Sequence, residues 1–341
     1  MAENIGITIT GLIERKNDTE CEKGLLLFLF TPTLGVFMKI GILGGTGLIG
    51  TSLITTAIQN GHQFRVFSRQ KSIPKSLSSF SGIEFITCLL PQSSDLEGLD
   101  AIINLVGEPI AGVRWTEERK QLISTSRIEF TRGLVARILD LKQPPKVFLN
   151  ASAVGYYGMS ETGHPAYTES SPPGDDFLAK LCVEWENQTN PLKVNGIRTV
   201  LLRTGIVLSP KGGALEKMLP PFLLGVGGAI ASGNQGMSWI HISDFINASI
   251  HLMTNEQTNG AYNLVSPHPT SNAEFSKQLA KTLKRPNLFK VPSFAIQALF
   301  GEGSVVVTKG QYVVPERLLQ SGYEFQFQNL QEALSNLLEK N

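Results

Sequence analysis

Three glycines three residues apart, Gly44, Gly47 and Gly50 in KIGILGGTGLIG, are the residues of this chain best suited to hold a phosphate. The first permits a sharp bend from strand to helix. The second lets bare main chain approach a pyrophosphate, and the third lets the helix lie close on the strand. The helix that starts there turns free N–H groups and a positive dipole end toward the anion. The stretch Gly44–Gly50, with Thr46, Leu48 and Ile49, is read as a diphosphate cradle; the alternative is a glycine turn with no ligand. About 20 residues further on, FRVFSR ends in Ser68 and Arg69, with Lys71 nearby and no acid. An acid at this place grips ribose hydroxyls, whereas arginine beside a small hydroxyl residue suits a 2′-phosphate and can clasp it bidentately. NADP(H) is therefore expected over NAD(H). The alternative for Arg69 is a solvated surface side chain.

Such groups need a sheet behind them. Ile40, Ile42 and Leu43 read as a buried strand, SLITTAIQNGH as the helix after the turn, and Gln63–Arg69 as a second strand. Ile83–Cys88 is a third. Asp100–Val106 is a fourth, apolar as the interior of a parallel sheet should be. It delivers Asn104, Leu105, Val106 and Gly107 to the carboxyl end of the sheet, where a ligand crevice lies. Trp115–Leu139 reads as one long helix capped by Thr116. Arg127, three turns in, either reaches a cofactor phosphate or pairs with Glu129 or Glu118. Lys146–Asn150 is a fifth strand, and Ser152 just beyond it is well placed for chemistry. Ile197–Leu208 is a sixth strand, with Arg203, Gly205 and Val207 at its exit as further cofactor contacts.

From about residue 210 the alternation becomes irregular, and a segment rich in Gly and Pro carries apolar side chains suited to a pocket. Asp244 is a candidate cap for the helix that follows. The expected class is α/β: a Rossmann-type doubly wound parallel sheet with a smaller C-terminal α+β substrate lobe. Residues 38–285 form the NAD(P)-binding domain, with substrate-lobe insertions from about 210, and 286–341 form a small C-terminal domain.

The 341 residues can bury a sizeable core. A net charge of +1 argues against a general affinity for nucleic acid or anionic membrane. Cys21, Cys88 and Cys182 are odd in number and widely spaced, which fits a reducing cytoplasm and neither a disulfide framework nor a zinc site. No metal is expected. Residues 1–37 stand apart as a leader. Its apolar run, Gly24–Met38, holds Pro32 and is too short for a membrane span, so no stable membrane insertion is expected. The preferred reading takes Met38 as the true start and the leader as an over-long gene model, disordered if translated. Organelle targeting or an anchor is the other reading.

The chain resembles the extended or atypical branch of the short-chain dehydrogenase/reductase superfamily. More narrowly, it resembles the epimerase family group labelled cell-division-inhibitor-like nucleoside-diphosphate sugar epimerases. The residues that carry this are Gly44–Gly50, Asn104–Glu108, Arg114 and Trp115, Ser152–Gly158 (SAVGYYG), Leu202–Gly205 and Trp239–Asp244. The likeness spans about 39–338 and includes a C-terminal domain of unknown function. It implies hydride exchange with nicotinamide. A tyrosine moves the proton, a lysine four residues later lowers its pKa, and a serine orients the substrate oxygen. Ser152 takes the serine position. The Tyr-x-x-x-Lys pair is missing: Lys180 lies on the right helix, but Asp176 stands four residues before it, and an aspartate does not replace a phenol near neutrality. Tyr156 or Tyr157 is the substitute. The resemblance thus implies an NADP(H)-dependent oxidoreductase or epimerase acting on a carbonyl or nucleotide sugar through Ser152, Tyr156 or Tyr157, and Lys180. The alternatives are a catalytically silent NADPH-binding sensor and a cell-division-related interaction protein. A homodimer through the helices near 116–139 and 177–188 is also implied.

Overall fold

The computed structural model describes residues 37–160 and 166–339. The expectations for the leader, apart from Phe37, lie outside the described residues. The first strand, β1 (Lys39–Leu43), leads through the glycine turn into α1 (Leu48–Gln59), followed by β2 (Gln63–Ser68), β3 (Ile83–Thr87), α2 (Ser93–Leu96) and β4 (Ala101–Asn104). The central strands β1 and β4 are buried on both faces, which is why they read as near-continuous apolar runs, whereas β3 at the sheet edge has no fully buried residue. Side-chain alternation sends Ile42, Ile103 and Leu149 to one core and Leu43, Ile102 and Phe148 to the other.

The long helix expected over Trp115–Leu139 is two helices, α3 (Glu117–Thr125) and α4 (Ile128–Leu139). Thr116 does cap α3, accepting from the Arg119 N–H. The break falls at Ser126 and Arg127. The Ser126 hydroxyl donates to the Ile123 carbonyl at 2.9 Å, the kind of local bond that competes with a continuous helix.

After β5 (Val147–Ala153) come α5 (Phe177–Asn187), α6 (Asn190–Val194) and β6 (Arg198–Thr204). The expected sixth strand ends early, because Gly205 turns the chain out of the sheet into β7 (Ile206–Leu208). A Cβ on Gly205 would meet the Ser238 carbonyl oxygen at 2.2 Å, so the crossing needs a bare Cα.

The lobe is built from α7 (Gly213–Leu223), β8 (Gly228–Ile230), β9 (Gly236–Met237) and β10 (Trp239–His241). It continues, after α8 (Ile242–Thr254) and β11 (Gly260–Leu264), with β12 (Thr270–Ser271), α9 (Asn272–Thr282), β13 (Phe289–Val291) and α10 (Ser293–Phe300). The last helices are α11 (Val305–Thr308), α12 (Glu316–Gln320) and α13 (Leu330–Leu338).

The main sheet has seven strands in the order β11-β6-β5-β4-β1-β2-β3, all parallel. The order reverses at β1, between β2 and β4, which is the switch point where an open α/β sheet binds its ligand. In the lobe β7 pairs with β10, β9 with β12 and β8 with β13. The expected cap Asp244 has a different task. The imidazole of His241 caps α8, accepting from the Ser243 N–H. Buried Asp244 instead accepts from the Tyr323 hydroxyl and the Gln326 and Phe327 N–H groups, fastening the C-terminal segment to α8.

Candidate functional site

At the switch point a cavity of about 680 Å³ opens between the sheet and the lobe, within the range of small-ligand and cofactor sites. Its floor is the glycine turn: Gly44, Gly47, Leu48, Ile49 and Gly50 all line it. Gly44 has φ +79°, and a Cβ on Gly50 would lie 2.5 Å from the Gly44 carbonyl oxygen. Both positions therefore require glycine for the helix to start so close to the strand. Leu105, Val106 and Gly107 line it next to the turn, the Leu105 main chain lying 3.0 Å from where a Cβ on Gly44 would stand, and Gly205 and Val207 line it as well. Thr46 and Ser68 lie outside this lining but meet each other, with their hydroxyl oxygens 3.3 Å apart. Arg69 follows them. Its side chain is 74% exposed, and its guanidinium lies 3.7 Å from the Glu108 carboxylate.

Three expected cofactor contacts have their polar groups taken within the protein. Asn104 is fully buried within the sheet; its amide donates to Thr131 and Asn150, and its oxygen accepts from the Val106 N–H. It shapes the Leu105–Gly107 wall without reaching the cavity. Arg127 does line the cavity, but it pairs with neither Glu129 nor Glu118. It bridges the α3–α4 break, donating to the carbonyls of Ile123 and Glu108. Burial pulls its pKa down to about 10, so it stays charged at neutral pH. Glu129 is taken by Arg132.

Arg203 is turned into the protein beside Ser152, its register partner across β5 and β6. It forms a two-pronged ion pair with Glu186, Nε to Oε1 at 2.8 Å and Nη2 to Oε2 at 2.9 Å. Burial opposes its charge, but the Glu186 hydrogen bonds and charge outweigh that and raise the pKa above the ordinary arginine value.

Ser152 lines the cavity and donates its hydroxyl proton to Glu186 Oε1 at 2.7 Å. The two tyrosines lie behind it. Tyr157 donates to the Asn263 side chain at 2.7 Å and accepts from Arg203 at 3.1 Å; burial, only partly offset by Arg203, pushes its pKa up to about 12. The Tyr156 ring lies against the Arg203 guanidinium, 3.4 Å from its centroid. Neither ring lines the main cavity, and both are committed to Arg203. Lys180 is exposed on the outer side of α5.

The inner side of α5 presents Leu178, Leu181, Cys182 and Trp185. Burial pushes the Cys182 thiol up to about 12, so it is no nucleophile. Asp176 caps α5, accepting from the Ala179 N–H, and also accepts from the Met159 N–H. It holds the loop after Tyr157 and takes no catalytic position. Beyond Ser152 the cavity is largely apolar, with Met218, Ile230, Met237 and Val306 among its walls and Gln235, Asn272 and Lys309 as polar points. No group of three His, Cys, Asp or Glu side chains among the described residues could hold a metal.

Sequence reasoning missed Glu186 and Asn263. Glu186 stands in WENQTN, where it reads as a surface acid. The one available signal was that Ser152 and Arg203 both end strands and thus converge at the same edge of the sheet.

A parallel sheet reversing at a glycine turn, with a cavity at its carboxyl end, defines a Rossmann-type dinucleotide-binding protein. The chain belongs to the NAD dependent epimerase/dehydratase family, which it matches over residues 40–264. Residues 291–337 match a domain of unknown function, DUF1731. It is 38% identical over 309 residues to the epimerase family protein SDR39U1 homolog, chloroplastic, of Arabidopsis thaliana, covering 89% of this chain and 87% of that protein. It is 36% identical over 305 residues to human epimerase family protein SDR39U1, covering 88% and 100%. The crystal structure of human SDR39U1 (isoform 2) with NADPH superposes with a TM-score of 0.79 at 35% identity, covering 89% of this chain and 100% of that one. UDP-glucuronic acid 4-epimerase from Bacillus cereus, at 19% identity and TM-score 0.72, shares the fold. The chain is thus an NAD(P)-binding epimerase-family protein.

Proposed function

We propose that the chain is an NADP(H)-dependent oxidoreductase of the short-chain type in which Ser152, without a phenol beside it, meets the substrate oxygen. The observation that carries this reading is the single cavity running from the glycine turn past Ser152 into the lobe. The bound dinucleotide would supply hydride exchange at its nicotinamide. Gly44–Gly50 would hold its diphosphate, and Thr46, Ser68 and Arg69 its 2′-phosphate. The NADPH found with the human relative supports the choice of NADP(H).

Ser152 has one proton and gives it to Glu186, so toward the cavity it offers lone pairs. It therefore suits a ligand that donates, such as an alcohol, better than a carbonyl oxygen. The apolar walls beyond it favour a small apolar alcohol–ketone pair over a nucleotide sugar, whose hydroxyls need many polar partners. A reducing cytoplasm belongs to this reading, supported by the number and spacing of the cysteines.

A second reading, a silent NADPH sensor, is favoured by one observation: the tyrosines and Lys180 are all turned away from the cavity. Two measurements decide. NADPH should raise the melting temperature more than NADH does, and Arg69→Ala should erase that difference; equal shifts in the wild type would refute the phosphate assignment. Turnover followed by nicotinamide absorbance over a panel of apolar alcohols and ketones should appear and be lost in Ser152→Ala. Binding without turnover across the panel would establish the sensor.

A further inference from the structure

The lobe leaves an apolar face uncovered. Helix α10 is strongly apolar, SFAIQALF, yet buries none of its residues fully. Phe294 is 72% exposed and Leu299 66%. The segment before it exposes Leu288 and Phe289, and the end of α7 exposes Leu223 and Leu224. The last two adjoin, and α10 follows β13 directly in the chain. Phe289 pairs with Gly228 in the β8–β13 ladder, and Pro286 lies 3.6 Å from where a Cβ on Gly225 would stand. A soluble surface scatters single apolar side chains; a contiguous patch of this kind marks a partner.

The charge around the patch says which partner. From residue 275 to 301 the sequence has five cations and no acid. Lys281, Lys284, Arg285 and Lys290 are all exposed. A chain of net charge +1 has gathered this basic surplus beside a group of well-exposed apolar side chains. Aromatic and aliphatic side chains rimmed by lysine and arginine match the acyl boundary and headgroups of an anionic bilayer. A second copy of the same face would set cation against cation. The elements involved add to this: α7 and β8, which border the patch, also supply Met218 and Ile230 to the cavity wall.

We propose that this face, built on α10, the β13 edge and the end of α7, docks the protein peripherally on an anionic lipid surface. No helix among the described residues is long and apolar enough to cross a membrane, so the contact is superficial. The test is co-sedimentation of the full chain with vesicles of phosphatidylcholine alone and of phosphatidylcholine with phosphatidylserine. Phe294→Ser/Leu299→Ser removes the apolar contact. Arg285→Glu/Lys290→Glu reverses the rim and touches only exposed side chains, so it folds even if the first variant is impaired. The wild type should bind the phosphatidylserine vesicles, more weakly as salt rises, and each double variant should lose about tenfold or more of that partition.

Absence of wild-type binding would overturn the proposal. So would binding undiminished in both variants, which would assign it to another part of the chain such as the apolar run at 24–38. A dimer in solution that Phe294→Ser/Leu299→Ser dissociates, with no vesicle binding, would give the face to a second copy and equally overturn it.

Discussion

Glu186 sets the chemistry that Ser152 can offer, and its own standing depends on Arg203. The pair is almost wholly buried and bonded on both prongs. Removing one member strands the other as a buried charge, which typically costs about 3–5 kcal/mol. Glu186→Ala is therefore expected to lower urea stability by that order, and Glu186→Ala/Arg203→Met to recover most of it. An unchanged urea midpoint in the single variant would show that the pair carries little. Tyr157 gives a pH signature. Its native pKa is near 12, against an ordinary phenol near 10, so the folded chain holds this proton where the unfolded chain has released it. Its contribution to stability is complete below pH 10 and is lost as pH rises through 12. Urea unfolding at about pH 9 and pH 11 should show a loss in the wild type that shrinks in Tyr157→Phe.

Among the elements, Asp244 is the clearest point of leverage. One carboxylate accepts from two N–H groups and a hydroxyl of the segment 323–327, and burial with the Asp244 charge raises the Tyr323 pKa well above the ordinary value. Asp244→Ala leaves the two N–H groups unpaired, while the Tyr323 hydroxyl keeps the main-chain carbonyl of residue 244 at 3.1 Å. It should cost about 2–4 kcal/mol, taking roughly 1–3 for each unsatisfied group and allowing for relaxation. The loss should appear first as faster amide exchange over 323–338, and uniform exchange would argue against a local clasp. This clasp also marks the limit of what sequence can tell. Strands buried on both faces were legible because they are uniform apolar runs, and the glycine turn because its spacing has a mechanical cause. The break at Ser126, the bend at Gly205 and the roles of Glu186 and Asp244 were not. The break at Ser126 rests on one local hydroxyl bond of a kind that many intact helices also carry; the others depend on a partner far along the chain, Ser238 for Gly205, 17 residues for Glu186–Arg203 and 83 for Asp244–Phe327. The absent Tyr-x-x-x-Lys was legible; that Tyr156 and Tyr157 turn inward onto Arg203 was not, because the direction of a side chain at a strand end is fixed by its neighbours.

For the molecule as a whole, the cavity joins the sheet to the lobe, so its ligand should stabilise both together. At a hundred times its Kd, NADPH should add about 2.7 kcal/mol, read as a shift of the urea midpoint with an unchanged slope. A changed slope would mean that the lobe unfolds apart from the sheet. The fastening of α8 by the final segment has a further consequence for how a cell makes this protein. Synthesis is vectorial, and the groups that satisfy Asp244 leave the ribosome 79 to 83 residues after it. Until they arrive, a carboxylate destined for the interior lacks its donors and the sheet edge at β11 lacks α12. A nascent chain that stops before residue 323 cannot close this clasp, which makes it a natural target for quality control.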